Sequence, residues 1–307
     1  MGDTQKYLER AYQDLRKMEG NTFDIFTLRK PRDIDEAQAV AKVISKLSPF
    51  TANVLEAELI HILNLIDEWP RGAKWLRQDP DFPDAVLTGV GDPIPGIELK
   101  MWFPLATEIT ARFRETQAHL LNHNTSVAMI AWLPEFILYG QPKIVGIWID
   151  DALTVAQARD IHYHSPPGYL VVEPEDTTAR TANLQQRNCN GYKFQGNAKQ
   201  LAEAEALIRE WGAGFRTYSL DLEFQERVRS LVRQYAYRLD TNFAKMDRIE
   251  HTGLERFKTE IMNRRIHGRT IDEWSRIIDS ANPAGMKAIM DLQPGSVDRP
   301  PPSKTLG

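Results

Sequence analysis

One segment constrains this chain more than any other. Ile97-Glu98-Leu99-Lys100-Met101-Trp102-Phe103 alternates as a β-strand does, with Ile97, Leu99 and Met101 on one face and Glu98, Lys100 and Trp102 on the other. Two ionisable side chains therefore sit on one face of an apolar strand, where charge is costly unless it is used or paired. Upstream, residues 88–96 hold three glycines and two prolines, the composition of a loop or wide hairpin. Before them lies a short apolar run, Phe82-Pro83-Asp84-Ala85-Val86-Leu87. If that run pairs antiparallel with the alternating strand, Asp84 reaches the same spot as Glu98 and Lys100.

Two carboxylates and a lysine in one place suit a definite chemistry. Mg²⁺ is a hard cation that takes few protein ligands and fills its octahedron with waters and phosphate oxygens. Lysine puts a positive charge beside a metal-bound water, and a neighbouring metal favours a lowered lysine pKa. Metal, water and lysine together serve in-line attack on a phosphodiester. The same residues also fit a surface hairpin carrying a Glu/Lys pair. A third acid is available on the preceding helix, expected over residues 51–68, capped by Ser48 or Thr51 and stopped by Pro70 and Gly72. Its apolar stripe centres on Leu55, Leu59, Ile62 and Ile66. Glu58 falls inside that stripe and Glu56 off it, so Glu58 is the candidate.

The rest of the chain reads as helices, then strands, then helices. Amphipathic helices are expected over 3–20 and 33–47, strands over 126–132, 143–149 and 169–172, and a short helix over 154–160. From residue 198 to about 290 the pattern is helical, and residues 291–307, with prolines at 300–302, read as a disordered tail. The expected fold class is α/β (α+β), in two parts: 1–197 with the N-terminal helices and the strand-rich core, and 198–290 helical and packed on it.

Pro83-Asp84, a gap, then Glu98-Leu99-Lys100, with a helix before and strands after, resembles the PD-(D/E)XK nuclease superfamily, and type II restriction endonucleases in particular. The motif itself spans few residues, and the order of elements extends the likeness over roughly 50–175. The resemblance implies a mixed four- or five-stranded sheet flanked by helices. It implies Mg²⁺-dependent cleavage of double-stranded DNA by a homodimer, leaving 5′-phosphate ends, alongside a cognate DNA methyltransferase of the same system. Carried over residue by residue, Asp84 and Glu98 hold the metal and Lys100 positions the water. Glu58 matches the family's optional helix acid by position only.

Charge distribution bears on the partner. The whole chain is at −4, but residues 180–307 hold 21 Lys and Arg against 16 Asp and Glu, a net of +5, which leaves −9 for residues 1–179. An acidic half beside a basic half fits a cation site next to a phosphate-binding surface, and fits a meaningless fluctuation equally. Residues 180–197 are the best segment for DNA contact: Arg180, Asn183, Gln185, Gln186, Arg187, Asn190 and Lys193 offer amides for adenine and guanidinium groups for guanine or phosphate. Arg112 and Arg114 are candidates for phosphate contact, or for ion pairs with Glu108 and Glu115. Arg264, Arg265, His267 and Arg269 lie between two helical segments, as a helix–turn–helix or as a basic helix end.

Several classes are set aside. Apolar residues at 42% and charged residues at 26% are those of a globular chain, not a disordered one. Cys189 is the only cysteine, which leaves no internal disulfide and no catalytic thiol partner. The apolar stretch 127–139 is broken by Pro134 and Glu135, so no spanning or export segment is expected and a cytoplasmic location is. His162 and His164 lack the further ligands of a zinc site and read as loop residues. No phosphate-binding glycine loop is present. The functional expectation is a sequence-specific DNA endonuclease. A structure-specific repair or recombination nuclease and a DNA-binding protein without catalysis are the rivals.

Overall fold

The structure is a computed structural model that describes residues 3–65, 69–78, 81–106, 109, 111–113, 115, 117–164, 169–172, 190–194, 196–212, 222–240 and 244–293. Three helices open the chain. α1 (Asp3–Arg16) buries Leu8, Ala11 and Leu15, and also Asp14, whose carboxylate is held by Arg10 at 2.8 Å and Lys17 at 2.6 Å. α2 (Ile34–Val43) is capped by Asp33, which accepts from the Glu36 N–H at 2.8 Å. α3 (Ser48–Asn64) differs from expectation at its start. Neither Ser48 nor Thr51 caps it; Pro49 occupies the first turn, and the Thr51 hydroxyl donates back to the Leu47 carbonyl at 3.1 Å.

The centre is a five-stranded sheet in the order β1 (Lys74–Arg77), β2 (Ala85–Thr88), β3 (Gly96–Trp102), β4 (Thr125–Pro134), β5 (Pro142–Asp151). All neighbours run antiparallel except β3 and β4, which are parallel. This mixed sheet flanked by helices, with further helices toward the C-terminus, fits the restriction-endonuclease-like layout. β4 is buried along almost its whole length, as expected of a central strand covered on both faces. The register aligns Glu98, Val127 and Asp150, then Lys100, Met129 and Trp148, then Trp102, Ala131 and Gly146, on one face of the sheet.

The later helices divide between this sheet and a second, smaller core. α4 (Ala152–His164) follows β5 directly and runs past the expected end, so His162 and His164 lie in its last turn and not in a loop. β6 (Tyr169–Val172), β7 (Asn190–Phe194) and β8 (Tyr237–Asp240) form a separate antiparallel sheet in that order. With α5 (Ala198–Glu210) and α6 (Leu222–Gln234), β7 encloses a second small core of Phe194, Ala204, Trp211, Phe224, Val228 and Leu231. α7 (Thr252–Asn263) lies on the sheet face bearing Trp102: Phe257 meets Trp102 edge-on at 6.0 Å. Gly146 makes room there, since a Cβ on it would come within 2.2 Å of Ile261 Cδ1.

The segment from 198 onward is mostly helical, as expected, with short strands between its helices. β8 interrupts it, and so does a ribbon of β9 (Arg265–Ile266) and β10 (Arg269–Thr270), followed by α8 (Ile271–Ser280) and α9 (Pro283–Met290). The ribbon replaces the helix–turn–helix considered from sequence. His267 and Gly268 take φ of 51° and 82°, the tight hairpin geometry that glycine favours. Its basic residues are spent locally. Arg264 bonds Glu19 and the Val145 carbonyl, Arg265 the Gly268 carbonyl, His267 the Glu135 carbonyl at 2.6 Å, and Arg269 stacks over Trp274. Residues 294–307, most of the expected tail, lie outside the described residues. No helix among the described residues is long and apolar enough to cross a membrane.

Candidate active site

The strand pair β2–β3 brings the acid–lysine motif together. Its ladder holds only two residue pairs, Ala85 with Ile97 and Val86 with Gly96. At the next position the side chains take over. The Asp84 carboxylate accepts from the Leu99 N–H at 2.7 Å, and the Glu98 carboxylate accepts from the Asp84 N–H at 3.2 Å. Each acid thus replaces a backbone rung with a charge-assisted bond, and the two strands are held apart by their own functional groups. The Asp84 carbonyl is fixed from the other side by the Gln78 N–H at 2.7 Å.

A close contact sets the spacing. A Cβ on Gly96 would lie 2.4 Å from Pro83 Cγ and 3.3 Å from Thr125 Oγ1. Only glycine lets the Pro83 ring lie against the start of β3, and that ring fixes where Asp84 begins.

Lys100 closes the group. Its Nζ donates to Glu98 Oε1 and stands 3.7 Å from Asp84 Oδ2. The three side chains keep 21% (Asp84), 11% (Glu98) and 15% (Lys100) of their exposure, so the cluster is mostly enclosed but reachable from solvent. Burial, with Asp84's charge adding to it, pushes the Glu98 carboxyl up to about 7 against the pull of Lys100. Burial alone would lower Lys100, but Glu98 and Asp84 outweigh it and keep the ammonium above its ordinary value. Between the two carboxylates Lys100 is a held cation and a donor.

The donor set fits Mg²⁺. Asp84 and Glu98 offer hard carboxylate oxygens at a point where a positive charge already rests, and Mg²⁺ is commonly bound by one or two carboxylates plus water and phosphate. The two enclosed acids share the Lys100 ammonium, so a further positive charge between them would be favourable. Among the described residues no group of three or more His, Cys, Asp or Glu side chains forms a full protein cage for a metal.

The helix acid is placed differently from expectation. Glu58 lines a separate hollow beside Met18, Asn21, Phe23 and Asp24. Glu56 is the α3 acid that senses the centre: its carboxyl is raised by burial, opposed by Arg77 and reinforced by the charge of Asp84, and it feels Lys100 as well. The buried stripe of α3 runs through Leu55, Leu59, Ile60 and Leu63 and leaves Ile62 half-buried, so the helix is turned toward Glu56. Ile60 and Leu63, four and seven residues after Glu56 and both buried, are the sequence signals that would have given this rotation.

The other candidates are distributed as follows. The backbone of Arg112 bridges to Lys245 within the connection from β3 to β4. Arg114, Arg180, Asn183, Gln185, Gln186 and Arg187 lie outside the described residues. Asn190 and Lys193 fall on β7, where sequence gave only a polar segment, and their side chains are likewise outside the description. Arg77 on β1 was not anticipated. It holds Glu56 at 2.7 Å, one residue pair from Asp84. Compared with family models, with curated proteins and with solved structures, the chain finds no match in any of the three.

Proposed function

We propose that this protein is a Mg²⁺-dependent, sequence-specific double-strand DNA endonuclease of the type II restriction kind, within the PD-(D/E)XK superfamily. The observation that carries the reading is the convergence of Asp84, Glu98 and Lys100 at the splayed end of β2 and β3, on a sheet of the matching layout. Asp84 and Glu98 would hold the ion, which when bound supplies a Lewis acid and an acidified water for phosphodiester hydrolysis. The chain's own part is positional and electrostatic. Lys100 keeps its proton at neutral pH and offers N–H donors to an attacking water or a phosphate oxygen. The rungs from Asp84 to Leu99 and from Glu98 to Asp84 lock both acids to the backbone, so the donors do not have to be ordered during reaction.

The remaining parts of the reading follow from it. DNA contacts are assigned to Arg112 and Arg114 for phosphates, and to Arg180, Asn183, Gln185, Gln186, Arg187, Asn190 and Lys193 for base edges, on the more basic half of the chain. A homodimer matches a palindromic site by two-fold symmetry. A cytoplasmic setting with a partner methyltransferase completes the system.

The test is incubation of the purified protein with long unmethylated duplex DNA, with Mg²⁺ and with EDTA. Discrete Mg²⁺-dependent fragments are expected, and their ends give site and stagger. Lys100→Ala and Glu98→Ala should remove cleavage and keep DNA binding. Cleavage retained in both variants would sink the assignment, and intact DNA across several genomes and metals would shift it to a structure-specific nuclease or a binding protein.

A further inference from the structure

Beside the acid–lysine centre stands an ion pair that the proposed chemistry does not use. Glu56 of α3 accepts from Arg77 Nε of β1 at 2.7 Å. The two partners differ in access to solvent: the Arg77 side chain keeps 36% of its exposure and Glu56 only 15%. Arg77 pairs with Ala85, the residue after Asp84, and its neighbour Gln78 donates to the Asp84 carbonyl. The Glu56 carboxylate is near enough to feel both Asp84 and Lys100. An enclosed acid therefore shares its field with the centre, while its cation partner faces outward. Glu56 is one of Arg77's partners and not its sole one.

The chemistry of the two residue types makes this pair exchangeable. Guanidinium binds phosphate in bidentate fashion and is the side chain best suited to a nucleic-acid backbone. A carboxylate that is mostly enclosed does not lose its cation without taking up a proton or another positive charge in its place. The nearest positive charges it can turn to are Lys100 and whatever cation Asp84 and Glu98 hold.

Resting on the nuclease reading, we propose that Arg77 contacts a backbone phosphate of the substrate and that the Glu56–Arg77 pair couples DNA binding to cation binding. A phosphate draws the Arg77 guanidinium away from Glu56. Glu56 then adds its charge to the Asp84–Glu98–Lys100 centre and tightens its hold on the divalent ion. By linkage the ion strengthens DNA binding by the same factor. No covalent bond is made or broken in the exchange.

The experiment uses the full chain, with Ca²⁺ as the probe ion in titration calorimetry, with and without a short duplex carrying the cleaved sequence. For the wild type, duplex should tighten Ca²⁺ binding by about tenfold, within the usual range of coupling. In Arg77→Met, Ca²⁺ should bind the DNA-free protein more tightly than it binds the wild type, because Glu56 is already released. Duplex should then have little further effect, and the salt dependence of duplex binding should fall by about one phosphate contact. Glu56→Gln should lose the coupling without that gain. A merely structural Arg77 gives the opposite sign: Arg77→Met leaves Ca²⁺ binding unchanged or weaker, with the coupling intact, and that result overturns the inference while the nuclease reading stands. Thermal melts report whether each variant folds, and Arg77→Lys, which keeps charge but not the forked geometry, should retain part of the coupling if Arg77→Met does not fold. A wild type that binds neither Ca²⁺ nor duplex removes the nuclease reading and this inference together.

Discussion

Among the described residues, Arg159 and Lys100 are cations withdrawn from water, and they are held in different ways. Arg159 of α4 is fully buried. It donates to Asp160 at 2.8 Å, to the carbonyls of Phe113 and Glu115 at 3.2 and 2.9 Å, and its guanidinium lies 5.9 Å from the centre of the Phe113 ring. Lys100 keeps some exposure and rests between two carboxylates. Two of its acceptors are carbonyls, and its carboxylate partner Asp160 is also held by Gln117 at 2.6 Å, so Arg159 serves as a rivet between α4 and the connection from β3 to β4. Carboxylates can pass from an ammonium to a metal ion, so the Lys100 cluster can change partners. A buried charge is therefore not in itself a sign of chemistry. What separates the two is the kind of acceptor and the route to solvent.

Replacing each cation by an isosteric apolar side chain should split the two roles. Arg159→Met takes the charged partner from Asp160, which keeps the bond from Gln117, and the shared donor from two carbonyls in a closed interior. Loss of one member of a buried charged network costs about 3–5 kcal/mol. Urea denaturation should show that loss, with cleavage per folded molecule unchanged. Lys100→Met should reverse the pattern. Removal of a preorganised donor from a reacting centre costs roughly 10²–10³-fold in rate. Its effect on stability should be smaller, about 1–2 kcal/mol, because Glu98, with a carboxyl near 7, can take up a proton in place of its lost partner. Equal stability losses in the two variants would erase the distinction.

A third substitution tests the backbone that sets the Lys100 cluster apart. Gly96→Ala drives a methyl against the Pro83 ring, and overpacking of this kind costs about 1–3 kcal/mol. Since Pro83 leads directly into Asp84, the displacement should also reach the site. Stability and Mg²⁺-dependent cleavage should fall together, whereas Arg159→Met changes stability alone. A stable Gly96→Ala protein with full activity would mean that the Pro83 contact does not position Asp84.

The sequence carried the site's three residues because their chemistry conflicts with their surroundings. Glu98 and Lys100 interrupt a strand that is otherwise apolar, and that conflict is visible without a structure. The central strands were legible for the same reason: β3, β4 and β5 are long enough for alternation or sustained apolarity to show. β1 and β8, at four residues each, are too short to display a period, and β7 reads as polar because its pairing partners, not its composition, make it a strand. The choice between Glu56 and Glu58 turned on the rotation of α3. The stripe centred on Leu55, Leu59, Ile62 and Ile66 takes in Glu58 and not Glu56, whereas packing against β1 turns the helix toward Glu56. Arg159 left no sequence signal at all, since its partners are mainly carbonyls of a distant loop.

A charged cluster at the surface sets the lower end of the same scale. Glu36, in the first turn of α2, accepts from the Arg32 N–H at 2.6 Å and from the side chains of Arg32 and Arg29. The Arg32 N–H above all, and then those two side chains, lower its carboxyl from 4.5 to about 2. The folded protein thus binds this proton less readily than the unfolded chain, and the contribution is complete above pH 4.5 and fades as the pH falls toward 2. Glu36→Gln should lower the melting temperature slightly at neutral pH. The gap to wild type should stay constant down to about pH 5 and narrow below it, as the wild type takes up the proton whose absence the glutamine imitates. Unlike Arg159→Met, this variant should regain parity in acid, because the wild type then carries the proton at Glu36 and has lost the same charge. A gap that persists unchanged through pH 3 would mean that the cluster acts through the geometry of its hydrogen bonds and not through charge.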